Sequence, residues 1–123
     1  MKLVSGVKAD RVRGHLDLVL LEILSRSAGH GYAVISALRE CTDGVLDLTE
    51  GAVYPALHRL EDQGLLASDW EPVAGRRRRI YTVTPAGMRA LRVERRDWRA
   101  LVAAVDSVLG HGSGGVSVAV GAM

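Results

Sequence analysis

The segment at residues 50–66, EGAVYPALHRLEDQGLL, most constrains the fold, because it has the pattern of an amphipathic helix but contains a proline near its front. Proline inside a helix removes an amide donor and clashes with the preceding turn, at a cost of about 3 kcal/mol. Thr49 is a good N-cap residue, so we predict a helix that begins near Gly51 and holds Pro55 in or at the edge of its first turn. Gly64 is suited to the C′ position that ends it.

The predicted helix has one apolar face and one polar face. Helical spacing predicts a buried stripe that consists of Val53, Ala56, Leu57 and Leu60. The opposite face contains Tyr54, His58, Arg59, Glu61 and Asp62. We therefore expect the front of this helix to present polar side chains outward, as a helix that reads the major groove of DNA does.

The segments before and after this helix are predicted to form two further helices, a hairpin and a final helix. Apolar residues at helical spacing predict helices over residues 16–24 and 32–40 before it. After it, LLASDWEPV and RRRRIYTVT contain β-formers and are separated by Ala74 and Gly75, which indicates a hairpin. Thr84 followed by Pro85 then predicts the start of a final helix that runs to about Leu109. Three helices and a hairpin form a winged helix-turn-helix, so we predict a mainly α fold with a small β-hairpin wing and a long C-terminal dimerisation helix.

This order divides the chain into four parts. We predict a flexible arm at residues 1–12, a winged helix-turn-helix domain at 13–84, a dimerisation helix at 85–109 and a flexible glycine-rich tail at 110–123. The length of 123 residues fits one domain whose core is modest enough to need a partner subunit.

Composition narrows the function classes. The single cysteine, Cys41, excludes an internal disulfide and a multi-cysteine metal site, and we expect it to be a small apolar filler at a helix end. We find no paired carboxylates, nucleophile–base pair or glycine-rich phosphate loop, so the sequence predicts no enzyme, no metal and no cofactor. The longest apolar run, residues 18–24, contains Glu22 and is too short to span a bilayer. We expect a soluble, cytoplasmic, nucleoid-associated protein that has no membrane partner.

Four motifs give the chain a family resemblance. In order they are LDLVLLEIL, HGYAVISAL, EGAVYPALHRLEDQGLL and RRRRIYTVTPAG, followed by the long helix, and they extend from about Arg13 to Leu109. Together they resemble the PadR-like transcriptional regulators. The resemblance implies a homodimeric DNA-binding repressor whose C-terminal helices are swapped or packed across the dimer. One departure is EGAVYPAL, where many members have proline, glycine and threonine before Leu-Tyr-Pro. Glu50 suits the helix dipole but not a nearby phosphate.

The candidate DNA-binding residues form two groups. In the recognition helix we predict contacts from Thr49, Gly51, Tyr54, Pro55, His58 and Arg59. In the wing we predict contacts from Gly75, Arg76, Arg77, Arg78 and Arg79.

Within these groups we expect different roles. His58 and Arg59 would read base edges, whereas Tyr54, through an exposed hydroxyl, and the wing arginines would hold phosphates. Alternation along a strand places the four arginines on two faces, which leaves two of them for local acidic partners. The alternatives are a solvated charged stretch, or a winged-helix module whose arginines contact an acidic protein partner.

The long helix carries the predicted dimer contacts. Apolar residues close to heptad spacing form a seam of Leu91, Trp98, Leu101, Val102, Val105, Val108 and Leu109. Trp98 has two interpretations, as an aromatic residue in the dimer core or as a contact for a small aromatic effector, since some relatives bind flat aromatic drugs between tryptophans there. His30, in the turn GHGY, is expected to cap or pack locally.

Overall fold

The computed structural model describes residues 13–110 and follows the predicted order. A short 3-10 turn, Arg13–His15, leads into the helices α1 (Leu16–Arg26), α2 (Gly31–Cys41) and α3 (Glu50–Asp62). The strands β1 (Leu66–Val73) and β2 (Arg76–Val83) then form the hairpin, and α4 (Pro85–Leu109) follows. The predicted winged-helix architecture is thus confirmed. The predicted flexible arm at 1–12 lies outside the described residues, as does the predicted tail apart from Gly110. Within the described part, no helix has both the length and the apolar character needed to cross a membrane.

The start of α2 uses a histidine cap. His30 is the N-cap residue, and its Nδ1 accepts a hydrogen bond from the backbone N–H of Ala33 at 3.1 Å. The local role predicted for His30 is therefore confirmed. At the other end of α2, Cys41 is exposed, so its prediction as an apolar filler is wrong. The buried face of α2 is already filled by Val34, Ile35 and Leu38.

The helix α3 begins one residue earlier than the sequence predicts. Thr49 is the N-cap as expected, since its Oγ1 accepts a hydrogen bond from the N–H of Ala52 at 3.2 Å. Glu50 is then the first helical residue, so Pro55 lies inside the helix and not in its first turn. The bond that Pro55 cannot donate would have gone to the carbonyl of Gly51. Gly51 is exposed, so water can reach this front of the helix and hydrate the carbonyl.

The end of α3 is a Schellman turn. Gly64 has a φ of +78°, as its predicted C′ position requires. The N–H of Leu65 donates to the carbonyl of Leu60 at 2.9 Å, and the N–H of Gly64 donates to that of Glu61 at the same distance. The hairpin that follows is joined by Ala74 and Gly75, both with positive φ, the pattern of a type I′ turn.

The wing is attached to the helices through backbone pairing and a buried tyrosine. Tyr81 forms a bridge with Gly29 in the α1–α2 turn: its N–H donates to the Gly29 carbonyl at 2.9 Å, and its own carbonyl accepts at 3.2 Å. The Tyr81 side chain is 1% exposed and packs into the core. That core also contains the predicted α3 stripe, Val53, Ala56, Leu57 and Leu60, all buried as expected.

The chain forms two compact units, and the division falls within α4. The first unit ends at Leu91 and the second begins at Arg92. The first turns of α4 belong to the first unit, where Gly87 lies against the backbone of Leu65. Leu91 is fully buried in this core. Its prediction as a dimer-interface residue is therefore wrong, because the close approach at Gly87 carries the next turn of the helix into the core.

We predict that Gly87→Ala lowers the free energy of unfolding by about 1–3 kcal/mol, the usual penalty for overpacking. A Cβ at Gly87 would lie 2.1 Å from the carbonyl oxygen of Leu65, so backbone must move. Gly51→Ala is the matched control, because the nearest atom to its added Cβ is 3.9 Å away. This control should leave the protein as stable or raise its stability by about 0.4–1 kcal/mol. Urea unfolding of both variants measures the difference, and equal stabilities would contradict the close packing.

Candidate nucleic-acid interface

The exposed front of α3 contains most of the recognition-helix residues that the sequence predicts to contact DNA. Gly51, Pro55, His58 and Arg59 are exposed, and the capping residue Thr49 is exposed beside them. They share one surface because the apolar stripe of α3 faces the core and leaves the opposite side to solvent.

Tyr54 does not have the exposed position that the sequence predicts. It is half-buried and packs against the core cluster. Its ring lies directly over Gly31 at the start of α2, where an added Cβ would be 2.5 Å from the Cε1 atom of Tyr54. The sequence pattern placed Tyr54 on the polar face. The ring lies inward because Gly31, which has no Cβ, leaves room for it.

Arg59 has a partner that sequence spacing does not reveal. Its guanidinium forms an ion pair and hydrogen bond with Asp17 on α1. Both side chains are partly exposed, and pairs of this kind contribute about 0–1 kcal/mol to stability. The pair connects α3 to α1, so in this structure Arg59 is engaged within the fold and not extended as a base reader.

The wing arginines divide between two faces, as strand alternation predicts. Trp70 pairs with Arg79 across the hairpin, and its ring is flanked by two guanidiniums, with Arg77 at 5.5 Å and Arg79 at 5.3 Å from the ring centroid. Arg79 is also held by both neighbouring elements, since its Nε donates to Oγ of Ser68 on β1 at 2.8 Å and its Nη2 lies 3.6 Å from Oε2 of Glu61 on α3. The predicted pairing with local acidic residues thus occurs for Arg79.

The other three wing arginines lack the acidic contact that Arg79 has, although Arg78 lies opposite Glu71 in the hairpin register. Across residues 13–110, Arg76, Arg77 and Arg78 form no salt bridge. Gly75 is exposed in the turn that precedes them. The wing therefore presents positive charge that a phosphate can neutralise.

A cleft separates the wing from the starts of α2 and α3, and we name it the wing cleft. Its volume is about 240 Å³. It is lined by His30, Gly31, Tyr54, His58, Trp70, Arg77, Arg78, Arg79 and Tyr81. None of these residues is acidic, so the wing cleft is a cationic and aromatic environment suited to an anion.

Two titratable groups in the wing cleft are shifted toward their neutral forms. Burial, followed by the charge of Arg78, lowers the pKa of His30. Burial, followed by the carboxylate of Glu61, raises the pKa of Tyr81. Because Nδ1 of neutral His30 accepts the capping bond, its proton resides on Nε2. Within residues 13–110, no three His, Cys, Asp or Glu side chains lie together as a metal site would require.

Sequence reasoning missed Trp70 and Asp17. Trp70 could have been found, because pairing outward from the two-residue turn at Ala74 and Gly75 places it opposite Arg79. Asp17 carries no such signal, since it lies 42 residues before Arg59 and meets it only through helix packing.

The chain is similar in sequence to known transcriptional regulators. The model of the transcriptional regulator PadR-like family matches residues 20–93. Over 67 residues, the chain is 45% identical to the transcriptional regulator Rv3488 of Mycobacterium tuberculosis, and this match covers 54% of the chain and 63% of that protein. It is 41% identical over 63 residues to the transcriptional regulator YqjI of Escherichia coli, covering 50% of the chain and 30% of that protein. The chain thus spans less than two thirds of the length of either relative.

Solved structures show the same similarity over more of the chain. A PadR family transcriptional regulator from Eggerthella lenta superimposes with a TM-score of 0.72 at 33% identity. The match covers 81% of this chain and 86% of that structure.

We predict that the stability of the protein falls as the pH decreases below about 6.5, the ordinary pKa of His30. Because the pKa of His30 is lower in the folded state, the unfolded chain binds the proton first and is favoured. Protonation of Nδ1 would then remove an N-cap that is worth about 0.5–2 kcal/mol. Urea unfolding at several values between about pH 5 and pH 8 measures this loss of stability.

The matched variants separate His30 from the other histidines. His30→Asn supplies a cap that does not titrate, so its stability should depend less on pH than that of the wild type. His58→Asn, at an exposed position on the same cleft, should retain the wild-type dependence. Equal pH dependence in the wild type and His30→Asn would contradict this role for His30.

Proposed function

The chain belongs to the PadR-like family of transcriptional regulators, and from this premise we propose that it is a homodimeric repressor that binds an inverted-repeat operator in double-stranded DNA. The observation that carries the proposal is the exposed front of α3 beside a wing in which three arginines form no salt bridge with the described residues, both within one compact unit. A helix of this kind enters the major groove and reads bases, while basic residues beside it contact the backbone.

The front of α3 would approach the base edges. Gly51 and Pro55 bring few atoms above the helix surface, which allows a close approach. His58 is then the exposed side chain with hydrogen-bonding capacity for a base. Arg59 is held by Asp17, so we assign it to the connection between α3 and α1 and assign base reading to His58.

The wing would fix the position of the protein without reading sequence. Arg76, Arg77 and Arg78 form no salt bridge in the described part of the chain, so each is available to neutralise a phosphate and release a counterion. Glu50, exposed at the start of α3, disfavours a phosphate there. The phosphate contacts should therefore concentrate on the wing side of α3.

We predict that Arg77→Ala and His58→Ala affect DNA binding differently. Arg77→Ala should weaken operator and scrambled duplexes similarly and reduce the salt slope by about one, because a phosphate contact is lost. His58→Ala should cost about 1–3 kcal/mol on the operator alone, because a base contact is lost. Titrations of both duplexes at several salt concentrations measure the two effects.

Two outcomes of these titrations would contradict the assignment. If the wild type binds no duplex, the alternative of a module for an acidic protein partner is favoured. If Arg77→Ala keeps the salt slope while His58→Ala weakens both duplexes equally, the roles of base reader and phosphate contact are wrong.

The C-terminal part of α4 would form the dimer. In the second unit an apolar face is left exposed, and it consists of Trp98, Leu101, Val102, Val105, Val108 and Leu109. A contiguous apolar face of this kind marks an interaction surface. A dimer through this face would supply two copies of α3, and two recognition helices read half-sites about 34 Å apart.

We predict that Val105→Asp dissociates the dimer, because it places a charge in the apolar face. Ala100→Asp is the matched control, since Ala100 is exposed on the opposite side of the same helix and should leave the dimer intact. Sedimentation equilibrium gives the mass of each variant, and circular dichroism confirms that each is folded. A well-folded wild-type monomer at micromolar concentration would overturn the proposal.

The apolar face of α4 also offers a site where a small aromatic effector could bind and release the protein from DNA. Trp98 is 41% exposed on this face of the single chain. A planar compound that enters beside it should quench the fluorescence of Trp98 in a Trp70→Phe background and lower duplex affinity together. Quenching with unchanged affinity would exclude this route.

A further inference from the structure

The wing contains two arginines beside one aromatic ring, but only one of them has an acidic partner. Arg79 is held by Glu61 and Ser68 in addition to Trp70. Arg77 forms a cation–π contact with Trp70 and no salt bridge within residues 13–110. The charge of Arg79 is thus balanced within the fold, whereas that of Arg77 is not.

The contact with Trp70 restrains Arg77 without occupying its hydrogen-bond donors. A guanidinium that stacks on an aromatic face keeps its five N–H donors available in the plane of the group. A carboxylate that binds a guanidinium in bidentate fashion would occupy two of them. Trp70 is 53% exposed, so its position is not explained by burial in the core.

The wing cleft has the size and charge for one phosphate group. Its volume of about 240 Å³ lies below the roughly 300–1,000 Å³ of pockets that enclose small organic ligands. Three arginines and two histidines line it, and no acidic residue does. His30 adds a neutral Nε2–H donor, since its Nδ1 is used by the cap of α2.

We propose that the wing cleft binds one phosphate of the DNA backbone, with Arg77 as the charged ligand and Trp70 as the positioning residue that holds Arg77 at the cleft. The proposal rests on the proposed function, and it deepens that function by assigning separate roles to the neighbouring arginines. Arg79 holds the wing against α3, Arg77 takes the phosphate, and Trp70 acts on DNA only through Arg77.

A double-mutant cycle tests whether Trp70 acts through Arg77. Trp70→Ala should weaken duplex binding about two- to fivefold, the range expected for an exposed cation–π contact, and leave the salt slope unchanged because Arg77 keeps its charge. In an Arg77→Ala background, Trp70→Ala should have no further effect. Trp70→Phe, which retains an aromatic face, should recover most of the affinity.

Arg76→Ala provides the matched background. It removes the same charge from the neighbouring position, which pairs with Val73 at the end of the hairpin and forms no cation–π contact with Trp70. In this background Trp70→Ala should still weaken binding by its full factor. Thermal unfolding of each variant checks that the wing remains folded.

The outcomes separate this inference from the proposed function. If the wild type binds no duplex, both fail together. If the wild type binds but the effects of Trp70→Ala and Arg77→Ala multiply, Trp70 contacts DNA by itself and only the positioning role is overturned. The same holds if Trp70→Ala loses its effect in the Arg76→Ala background.

A fluorescence titration identifies the source of the phosphate. In a Trp98→Phe chain, the emission of Trp70 should change saturably with duplex DNA and not with inorganic phosphate at equal ionic strength. Saturation by inorganic phosphate alone would assign the wing cleft to a free phosphate ligand and overturn the assignment to the DNA backbone.

Discussion

The pairing of Gly29 with Tyr81 is the interaction on which the wing and the wing cleft depend. A two-stranded hairpin is marginally stable alone in water, so a wing needs an anchor. Here two backbone hydrogen bonds join β2 to the α1–α2 turn, and the buried Tyr81 ring inserts into the helical core beside them. The wing cleft exists because this anchor sets the base of the hairpin against α2 and α3.

A second connection sets the upper part of the wing against α3. Glu61 accepts a hydrogen bond from Ser68 at 2.6 Å, and Ser68 in turn accepts one from Arg79. This chain of polar contacts joins α3 to both strands of the wing. The positive charge of Arg79 is used for this connection, and the charge that remains for a ligand resides on its neighbours. The four consecutive arginines at positions 76–79 therefore do not all have the same role, because Arg79 stabilises the fold.

The fold was largely predictable because its determinants are local. The stripe that starts with Val53, the cap at Thr49, the C′ glycine at Gly64 and the turn at Ala74 and Gly75 each depend on residues a few positions apart. Spacing along the sequence records such relations directly. The winged-helix order followed from these signals.

The differences at Tyr54, Leu91 and Arg59 all involve contacts between distant segments. Tyr54 turns inward because Gly31 leaves space for its ring, and Leu91 is buried because Gly87 brings α4 against the backbone of Leu65. Arg59 is engaged because packing places Asp17 beside it. A helical pattern shows which face a residue occupies, but it does not show what the neighbouring segment offers to that face.

The contact between Gly31 and Tyr54 also links the variation of two positions across the family. A side chain at position 31 needs the volume that the ring at position 54 fills, since the Cβ would come within 2.9 Å of three ring and hydroxyl atoms. A relative with a larger residue at the first position should carry a smaller one, or a displaced ring, at the second. The two positions should therefore covary, although 23 residues (54 − 31) separate them in the chain. An alignment of the family would then show correlated substitutions at these two positions.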